Sequence, residues 1–469
     1  MNVLFVHGYS ETSLGAYYDF PARLQAALPG VGDIVLAAFN SLDDTVTIDD
    51  LADAMEARVT ALGPQWVRGP WAIVCHSTGA LIARRWLLNR LGKAPIPTHF
   101  VTMAGANHGS TLAQMGKSVL GYVQKLFLKQ SLTVGANVLT DLDYGSDFLL
   151  KLNAEWMRRW NDGSLDGLWA FSLGGDSVGN DRALQIFWET HEPGSDNTVR
   201  ISGANLNYTL LEVSHGPGDS RVTAVRPTRP VPHLVLAGYS HFGSDTGVLG
   251  WVNPAGDASR DAVVEALSVD SADAYARVEE RWSGRTAAWA AASEAAHAAP
   301  GGPPSSVNST AVLTIRDESG RAIDDCVILI LNQSTLGGPG NVNDPAFVNR
   351  VIQSANDVSE SIMPHSPIQN DVQKGSYSFY FDYNEYVLSS PHWYYVQAAL
   401  PGQLVSFIPL LFTQPPELPH TIWPNEFTYV SLAMKRDNLG TYAIYGFGPG
   451  LNLPGTTWMP FPAPGRISP

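Results

Sequence analysis

The chain has 469 residues, enough for roughly two or three domains of ordinary size. Its 44 acidic and 29 basic residues give a formal net charge of −15, which argues against a nucleic-acid binder, because such a protein needs a basic face to displace counterions from phosphates. Apolar residues make up 45% of the chain and charged residues only 16%, so extensive disorder is excluded and sizeable apolar cores are expected.

The two cysteines, Cys75 and Cys326, lie far apart in the sequence, which rules out a disulfide framework. There is no apolar run of roughly 18 residues, so no transmembrane helix is predicted. Residues 1–8 lack a charged start and a small-residue cleavage site, and they predict a strand of the mature fold rather than a signal peptide. A cytoplasmic location is therefore the default expectation, with secretion by a signal-independent route as the alternative.

Short apolar runs alternate with helical patterns over residues 1–294, which predicts a mostly parallel sheet covered by helices. The predicted strands are residues 3–6, 34–39, 71–75, 100–104, 168–173 and 233–237, with residues 208–213 as an extra strand of the same set. Residues 107–166 form a long insertion rich in helix formers, which we predict to be a cap over a site. The alternative is a set of ordinary helices over the sheet.

The composition changes at residues 295–306, a linker rich in Pro, Gly and Ser. Residues 307–445 contain short runs rich in β-branched and aromatic residues and broken by turns, which predicts an antiparallel β-sandwich as an accessory domain. Residues 446–469 form a tail rich in Pro and Gly. Three aromatic residues of this region suit either burial or the binding of a surface, a polymer or a protein partner, and burial is the commoner outcome: Tyr395, Trp423 and Tyr442.

The strongest motif is C-H-S-T-G at residues 75–79, which lies between a predicted strand and a predicted helix. This strand–turn–helix context is what a nucleophile elbow needs, and its usual form is Gly-x-Ser-x-Gly because the strand and the helix approach closely. Cys75 stands in the place of the first glycine and is still small. The motif predicts Ser77 as a nucleophile, with the first turn of the helix aimed at the reacting centre.

The first predicted strand ends in His7 and Gly8, and this turn indicates a second part of the same site. A serine that attacks an ester needs preorganised N–H donors to stabilise the oxyanion of the tetrahedral intermediate. The backbone N–H groups of Tyr9 and Thr78 are the predicted donors of this oxyanion hole. His7 is predicted to brace the loop by hydrogen bonding.

Together, the H-G pair at residues 7–8 and the H-S-T-G motif at residues 76–79 resemble the α/β-hydrolase superfamily, in its bacterial lipase and esterase branch. Residues 103–113 and 142–153 are similar to further segments of such lipases, with Tyr144 where proline is usual. The resemblance covers residues 1–290. It implies a serine hydrolase whose catalytic triad follows the chain order Ser, acid, His.

That order requires the general base to come last, after the final core strand of the first domain. His241 lies in the loop beyond the strand predicted at residues 233–237 and is the predicted base. His215 is the alternative, although its loop precedes the last strand.

Three aspartates lie in loops where the acid of the triad is expected. Asp196 is preferred, because residues 195–199 look like the S-D-G-x-V segment that bears the acid in related esterases, although Asn197 stands where that pattern has glycine. Asp219 and Asp176 remain alternative acids, and for the unused aspartates loop capping is the expected role.

Two other groups of residues admit more than one interpretation. Four aspartates near the second strand are interpreted as a solvated loop and helix start rather than a metal site: Asp43, Asp44, Asp49 and Asp50. Residues 120–128, with Trp156 and Trp160, suit an apolar acyl pocket and plain packing equally well.

The sequence is therefore interpreted as a serine hydrolase that cleaves carboxylic esters of small molecules or lipids through an acyl-enzyme, without a cofactor or a metal. An acyltransferase or a thioesterase that uses the same three residues is one alternative. An inactive hydrolase fold with a binding role is another, and the intact order of Ser77, Asp196 and His241 disfavours it.

Overall fold

The structure of the protein is a computed structural model that describes residues 1–9, 14–37, 41–114, 135–179, 192–215, 220–337, 344–363, 366–388, 391–398, 406–415 and 418–437. The strands before residue 300 are β1 (Asn2–Val6), β2 (Ile34–Ala37), β3 (Trp71–His76), β4 (His99–Met103), β5 (Trp169–Gly175), β6 (Tyr208–His215), β7 (Ser220–Val225) and β8 (His233–Leu236). The helices of this region are α1 (Phe20–Ala27), α2 (Ile48–Ala61), α3 (Gly79–Arg90), α4 (Thr111–Gln114), α5 (Ala136–Leu142), α6 (Asp147–Asn161), α7 (Ile201–Ala204), α8 (Ala258–Leu267) and α9 (Ala272–His297), with a 3-10 turn at Leu14–Tyr17.

The second region is built mainly of strands. They are β9 (Asn308–Asp317), β10 (Cys326–Asn332), β11 (Ile368–Gln369), β12 (Ser376–Asp382), β13 (His392–Ala398), β14 (Ser406–Phe407), β15 (Leu410–Thr413), β16 (Phe427–Met434) and β17 (Arg436–Asp437). The helices described here are α10 (Gln333–Leu336), α11 (Pro345–Ser359) and α12 (Tyr383–Leu388).

The first sheet has six parallel strands in the order β2-β1-β3-β4-β5-β8. The side chains of β3 alternate between its two faces. Ile73 and Cys75 join the α3 core, which contains α2, α3 and α6, whereas Val74 joins the α9 core, which contains α1, α8 and α9. Strands covered on both faces are apolar along their whole length, which is why they are recognisable as short continuous runs. The predicted α/β class with a mostly parallel sheet is confirmed.

Two further sheets pack face to face, and the larger one combines strands of the second region with β6 and β7 of the first. Six strands in the order β11-β12-β9-β16-β6-β7 form a mixed sheet, in which β16 runs parallel to both β9 and β6. Strands β10, β13 and β15 form an antiparallel sheet. The sandwich core lies between them and includes Leu313 and Val430 from the first of these sheets and Val396 and Phe412 from the second. The predicted β-sandwich is present, and the parallel pairing of β16 is a feature that the antiparallel expectation did not include.

The strand predicted at residues 208–213 forms, but its predicted place in the first sheet is wrong. As part of β6 it pairs with β16 of the mixed sheet, with Leu211 opposite Val430. The physical reason is that both of its faces are apolar and each meets a different core: Tyr208 lies in the α3 core and Leu211 in the sandwich core. The mixed sheet is therefore a shared layer that closes the first domain on one side and the sandwich on the other.

The described part of the insertion at residues 107–166 consists of α4, α5 and α6, and residues 115–134 lie outside the described residues. Ser146 caps α6, since its side chain accepts a hydrogen bond from the Leu149 N–H. The apolar stripe of α6, which includes Leu149 and Trp156, lies in the α3 core. This helix thus matches the alternative interpretation of the insertion, an ordinary helix packed over the sheet.

Most of the linker predicted at residues 295–306 is exposed, and its last residues pack against the protein. Helix α9 extends into it as far as His297. Ser305 is buried, and its hydroxyl donates to Glu294 Oε1 at 2.6 Å. The tail predicted at residues 446–469 lies outside the described residues.

Within the described ranges, no helix combines the length and the apolar character needed to cross a lipid bilayer.

Candidate active site

Ser77 lies at the sharp turn between β3 and α3. Its φ is +55°, a left-handed conformation that non-glycine residues rarely adopt. The Ser77 N–H donates to the carbonyl of Met103 at 3.3 Å, and the Ser77 carbonyl accepts from Ala80 and Ala106, each at 3.1 Å. These contacts hold a strained residue at the carboxyl end of the sheet, which is the backbone geometry of a nucleophile elbow.

Two glycines allow the end of β1 to approach this turn. A Cβ at Gly79 would lie 2.4 Å from the carbonyl oxygen of Val6 and 2.6 Å from that of His7, so the start of α3 packs on the backbone of the β1 segment. A Cβ at Gly8 would lie 2.8 Å from Cβ of Ser77. The loop after β1 therefore contacts the elbow directly.

Tyr9 and Thr78, the predicted oxyanion-hole residues, flank this contact in sequence. Thr78 is buried and directly precedes α3. Tyr9 follows Gly8 and is partly buried; burial, aided by the charge of Asp44, raises the pKa of its phenol. His7 Nδ1 lies 2.6 Å from the Gly8 carbonyl oxygen, a bond that braces this loop.

His241 and Asp196 form a buried pair. His241 Nδ1 lies 2.8 Å from Asp196 Oδ2, and the His241 N–H donates to the Asp196 carbonyl at 3.0 Å. Because a carboxylate oxygen only accepts, Nδ1 carries the proton in a neutral imidazole and Nε2 is the basic nitrogen. Nε2 is buried and has no hydrogen-bond partner among the described residues. An imidazole fixed in this way can accept a proton from a neighbouring group.

The loop of Asp196 is held by its own backbone. Asp196 Oδ1 accepts the N–H groups of Thr198 at 3.1 Å and Val199 at 2.7 Å, which leaves Oδ2 for His241. Asn197 has φ of +79°, which explains why asparagine can stand where the related pattern has glycine: it tolerates the left-handed region better than most residues. The departure from the pattern therefore preserves the turn.

The elbow and the histidine loop meet at one cavity of about 110 Å³. Gly8 and His76, which flank Ser77, line it together with His241. The rings of His76 and His241 lie 4.7 Å apart, and burial together with the proximity of His241 holds the pKa of His76 well below its usual value. A neutral His76 adds no positive charge next to His241.

Sequence reasoning missed the rest of the cavity wall. Its residues come from the 3-10 turn after β1 and from the loop after β8: Gly15, Tyr17, Tyr18, Phe242, Gly243, Gly247, Leu249 and Gly250. Phe242 directly follows His241, the predicted base, and this position in the sequence could have predicted its place in the cavity wall. No local motif marks the residues of the 3-10 turn.

Two of the other candidates for the triad, Asp176 and His215, do not line this cavity. Asp176 accepts the Gly238 N–H at 2.5 Å and the Trp289 indole N–H at 2.6 Å, so it fastens the end of β5 to α9. Asp219 lies outside the described residues. His215 ends β6 in the mixed sheet, where its Nε2 lies 3.1 Å from the Ile408 carbonyl oxygen.

The four aspartates near β2 have separate partners. Asp50 and Thr47 form a capping box at the start of α2. Asp43 accepts from Thr45, Asp49 pairs with Arg85 at 2.5 Å, and Asp44 accepts the Ala136 N–H at 2.9 Å. Among the residues that the structure describes, there is no group of three or more His, Cys, Asp or Glu side chains that could hold a metal ion.

Trp156 and Trp160 lie in the α3 core, so packing is their role in the described structure, and residues 120–128 lie outside it. In the sandwich, the Tyr395 hydroxyl donates to Gln397 Oε1 at 2.7 Å. The guanidinium of Arg226 lies over the ring of Trp423, 4.2 Å from the ring centre. Tyr442 lies outside the described residues.

No protein-family model and no curated protein matches the chain. Among solved structures, the chain is similar to phospholipase PlaB from Legionella pneumophila, with 26% identity, 98% of each chain covered and a TM-score of 0.79. A structure of the same phospholipase in complex with thio-NAD gives 26% identity, coverage of 96% and 97%, and a TM-score of 0.78. A Bacillus licheniformis lipase is similar over 44% of this chain and 79% of its own, at 19% identity and a TM-score of 0.33.

The family follows from the fold and from the elements that meet at the cavity. The six-stranded parallel sheet carries a strained serine between its third strand in sequence and the following helix. The loop that contains Asp196 follows β5 and the loop that contains His241 follows β8, both later in the chain than the serine, as this fold leads one to expect for an aspartate and histidine pair. The chain belongs to the α/β-hydrolase superfamily.

Proposed function

We propose that the protein is a serine hydrolase that cleaves carboxylic esters, with Ser77 as nucleophile, His241 as general base and Asp196 as the acid that orients it. The observation that carries this proposal is the buried Asp196–His241 pair at 2.8 Å, whose imidazole lines the same cavity as the residues flanking Ser77. The similarity to a phospholipase over 98% of both chains supports an ester-cleaving hydrolase independently of the pair.

The proposed mechanism begins with proton transfer from the Ser77 hydroxyl to Nε2 of His241 while Ser77 Oγ attacks the ester carbonyl. Asp196 keeps Nδ1 protonated and stabilises the imidazolium that forms. His241 then donates the proton to the leaving alcohol. Water, activated by the same imidazole, hydrolyses the acyl-enzyme and regenerates the hydroxyl of Ser77.

The oxyanion of each tetrahedral intermediate is proposed to accept the backbone N–H groups of Tyr9 and Thr78. The contact between Gly8 and Ser77 supports this, because it brings the loop that carries Tyr9 against the elbow. One such donor contributes about 2.7–4 kcal/mol to transition-state stabilisation in the best-measured case. The first turn of α3 adds a favourable dipole at the same place.

Phospholipids and related lipid esters are the substrate class that we propose. The phospholipase activity in the name of the PlaB structure is the reason to start with them. Tyr18, Phe242 and Leu249 in the cavity wall present apolar surface suited to an acyl chain.

The test combines p-nitrophenyl esters of graded chain length, phosphatidylcholine vesicles and a fluorophosphonate probe. Ser77→Ala should lower turnover at least about 10³-fold and abolish labelling, because the nucleophile is lost. Ser283→Ala, which changes an exposed hydroxyl on α9, is the matched control and should match the wild type. Equal turnover by wild type and Ser77→Ala, or labelling at another residue, would exclude the proposed nucleophile. Hydrolysis of the soluble esters without hydrolysis of the phospholipid would overturn only the substrate class.

A further inference from the structure

The loop that carries Asp196 is held by the β-sandwich. The carbonyl oxygen of Pro193, three residues before Asp196, accepts the hydroxyl of Tyr380 and the amide of Asn308, the latter at 2.9 Å. Asn308 begins β9 and Tyr380 lies in β12, so both donors belong to the mixed sheet. The second region thus supplies two hydrogen bonds to the acid loop of the first.

The next residue, Gly194, lies in backbone contact with the sandwich. Its φ is +71°, and a Cβ there would lie 2.5 Å from the Ser306 carbonyl oxygen and 2.6 Å from Asn308 Nδ2. A residue with a side chain at position 194 would force apart the loop of Asp196 and the segment that contains Ser306 and Asn308. The position of the loop is therefore set by the sandwich and not only by its own turn.

Tyr380 also supports the other end of the loop. Arg200 is almost fully buried and binds both carboxylate oxygens of Glu192 at 2.7 Å, which closes the segment 192–200. Its guanidinium lies 4.1 Å from the ring centre of Tyr380 and 4.8 Å from that of Tyr144. One side chain of the sandwich therefore contacts both ends of the segment that contains Asp196.

A displacement of this segment would reach the histidine. The Gly194 carbonyl accepts the Ile201 N–H at 2.9 Å, and the Asp196 carbonyl accepts the His241 N–H at 3.0 Å. The loop thus moves as a hydrogen-bonded unit that includes both partners of the Asp196–His241 pair. Catalytic groups tolerate displacements of only a fraction of an ångström before the rate falls.

We propose that the β-sandwich positions the acid of the triad, with Tyr380 and Asn308 as positioning residues that hold the loop of Asp196 through the Pro193 carbonyl. The inference rests on the proposed function, because it takes Asp196 as that acid. The sandwich would then contribute to catalysis by holding the loop of Asp196, without binding a partner.

The test compares two Tyr→Phe changes on the same strand of the full-length chain. Tyr380→Phe removes the hydroxyl bonded to Pro193 and keeps the ring over Arg200. Tyr377→Phe removes a hydroxyl bonded to the Asp324 carbonyl within the sandwich and is the matched control. Tyr380→Phe should lower kcat about 5- to 10-fold with KM unchanged, and adding Asn308→Ala should bring the loss to about 100-fold. Tyr377→Phe should keep wild-type kcat.

A double-mutant cycle with Asp196→Asn separates positioning from general stability. If Tyr380 acts through Asp196, Tyr380→Phe should change kcat less than about twofold once Asp196 is already replaced. An equal loss in both backgrounds, or an equal loss in Tyr377→Phe, would overturn the positioning role while leaving the proposed function intact. Wild-type turnover by Asp196→Asn would instead overturn the acid assignment and this inference with it.

Discussion

At the residue scale, two aspartates, Asp196 and Asp176, differ in the groups that their carboxylate oxygens bind. One carboxylate oxygen of Asp196 accepts hydrogen bonds from backbone N–H groups, and the other accepts a hydrogen bond from His241 Nδ1. The two carboxylate oxygens of Asp176 accept hydrogen bonds from the Gly238 N–H and from the indole N–H of Trp289. Both lie in the connection between β5 and α7, and the donors that their oxygens accept distinguish a candidate triad acid from a structural cap.

This difference predicts opposite outcomes for two matched changes. Asp196→Asn should lower kcat by about 10⁴-fold, because the amide no longer favours the tautomer with the Nδ1 proton and no longer stabilises the imidazolium. Asp176→Asn should keep kcat within about twofold of the wild type and lower the free energy of unfolding by about 1 kcal/mol, since one hydrogen bond to a buried acceptor is weakened. Steady-state kinetics with a p-nitrophenyl ester and thermal unfolding of both variants check this. A larger loss of kcat in Asp176→Asn would reassign the acid.

At the scale of elements, the site depends on how closely α3 approaches the end of β1. The carbonyl oxygens of Val6 and His7 occupy the space that a side chain at Gly79 would need. Glycine here is a packing requirement rather than a conformational one, because Gly79 is an ordinary helical residue at the start of α3. The final glycine of the C-H-S-T-G motif is therefore what lets the N-terminus of α3 pack against the end of β1.

A pair of Gly→Ala changes tests this packing with opposite expected signs. Gly79→Ala should lower the free energy of unfolding by about 1–3 kcal/mol, because the added methyl forces α3 away from β1, and should reduce turnover. Gly284→Ala lies on the exposed face of α9 with no atom within 4 Å of the added Cβ, and it should raise stability by about 0.5–1 kcal/mol without changing turnover. Thermal unfolding and esterase kinetics measure both effects. A neutral Gly79→Ala variant would show that α3 can shift freely.

At the scale of the whole molecule, the two regions share buried surface and buried polar contacts. Arg84 of α3 is fully buried and donates to the Asn107 carbonyl and to Asn153 Oδ1, each at 2.9 Å. Asn153 Nδ2 in turn donates to the hydroxyl of Tyr429 on β16 at 2.8 Å. Helices of the first domain are thus linked by hydrogen bonds to the mixed sheet, which makes the sandwich part of the same folded unit.

A carboxyl group at this junction predicts a pH dependence of stability. Burial, with a contribution from the charge of Asp371, raises the pKa of Asp143 from 3.8 to about 7. Between these two values the folded state binds more protons at Asp143 than the unfolded state, so this group lowers stability as the pH rises from about 4 to about 7. Asp371 lies in the sandwich region beside Asn370, whose amide donates to the Tyr144 carbonyl at 2.9 Å.

Asp143→Asn should therefore stabilise the protein at about pH 8, by about 1–2 kcal/mol, and have little effect at about pH 4.5. This stabilisation is smaller than the free energy that corresponds to the full pKa difference, because part of the Asp143 side chain remains in contact with solvent. Asp147→Asn, at an exposed carboxylate paired with Arg316, is the control and should change stability little at either pH. Thermal unfolding midpoints at the two pH values are the measurement. Equal shifts at both pH values would exclude Asp143 as the source.

The sequence by itself determined the features that depend on a few adjacent residues. The elbow could be predicted because a tight strand–turn–helix needs small residues around Ser77, and the buried strands because parallel strands are apolar on both faces. The chain order of nucleophile, acid and base favoured His241 over His215, and the resemblance of residues 195–199 to a known segment favoured Asp196 over Asp219 and Asp176. The structure brings the side chains of Asp196 and His241 together.

Only the tertiary structure decided which partners the apolar faces meet. The pattern of β6 shows that both of its faces are buried, but it does not say that the neighbour is β16 rather than a strand of the first sheet. The same holds for the cavity wall at Tyr17 and Tyr18 and for the bond from Tyr380 to Pro193, which joins residues 187 positions apart. A residue's local pattern reports how much of it is buried, whereas the identity of its neighbour depends on how the whole chain packs.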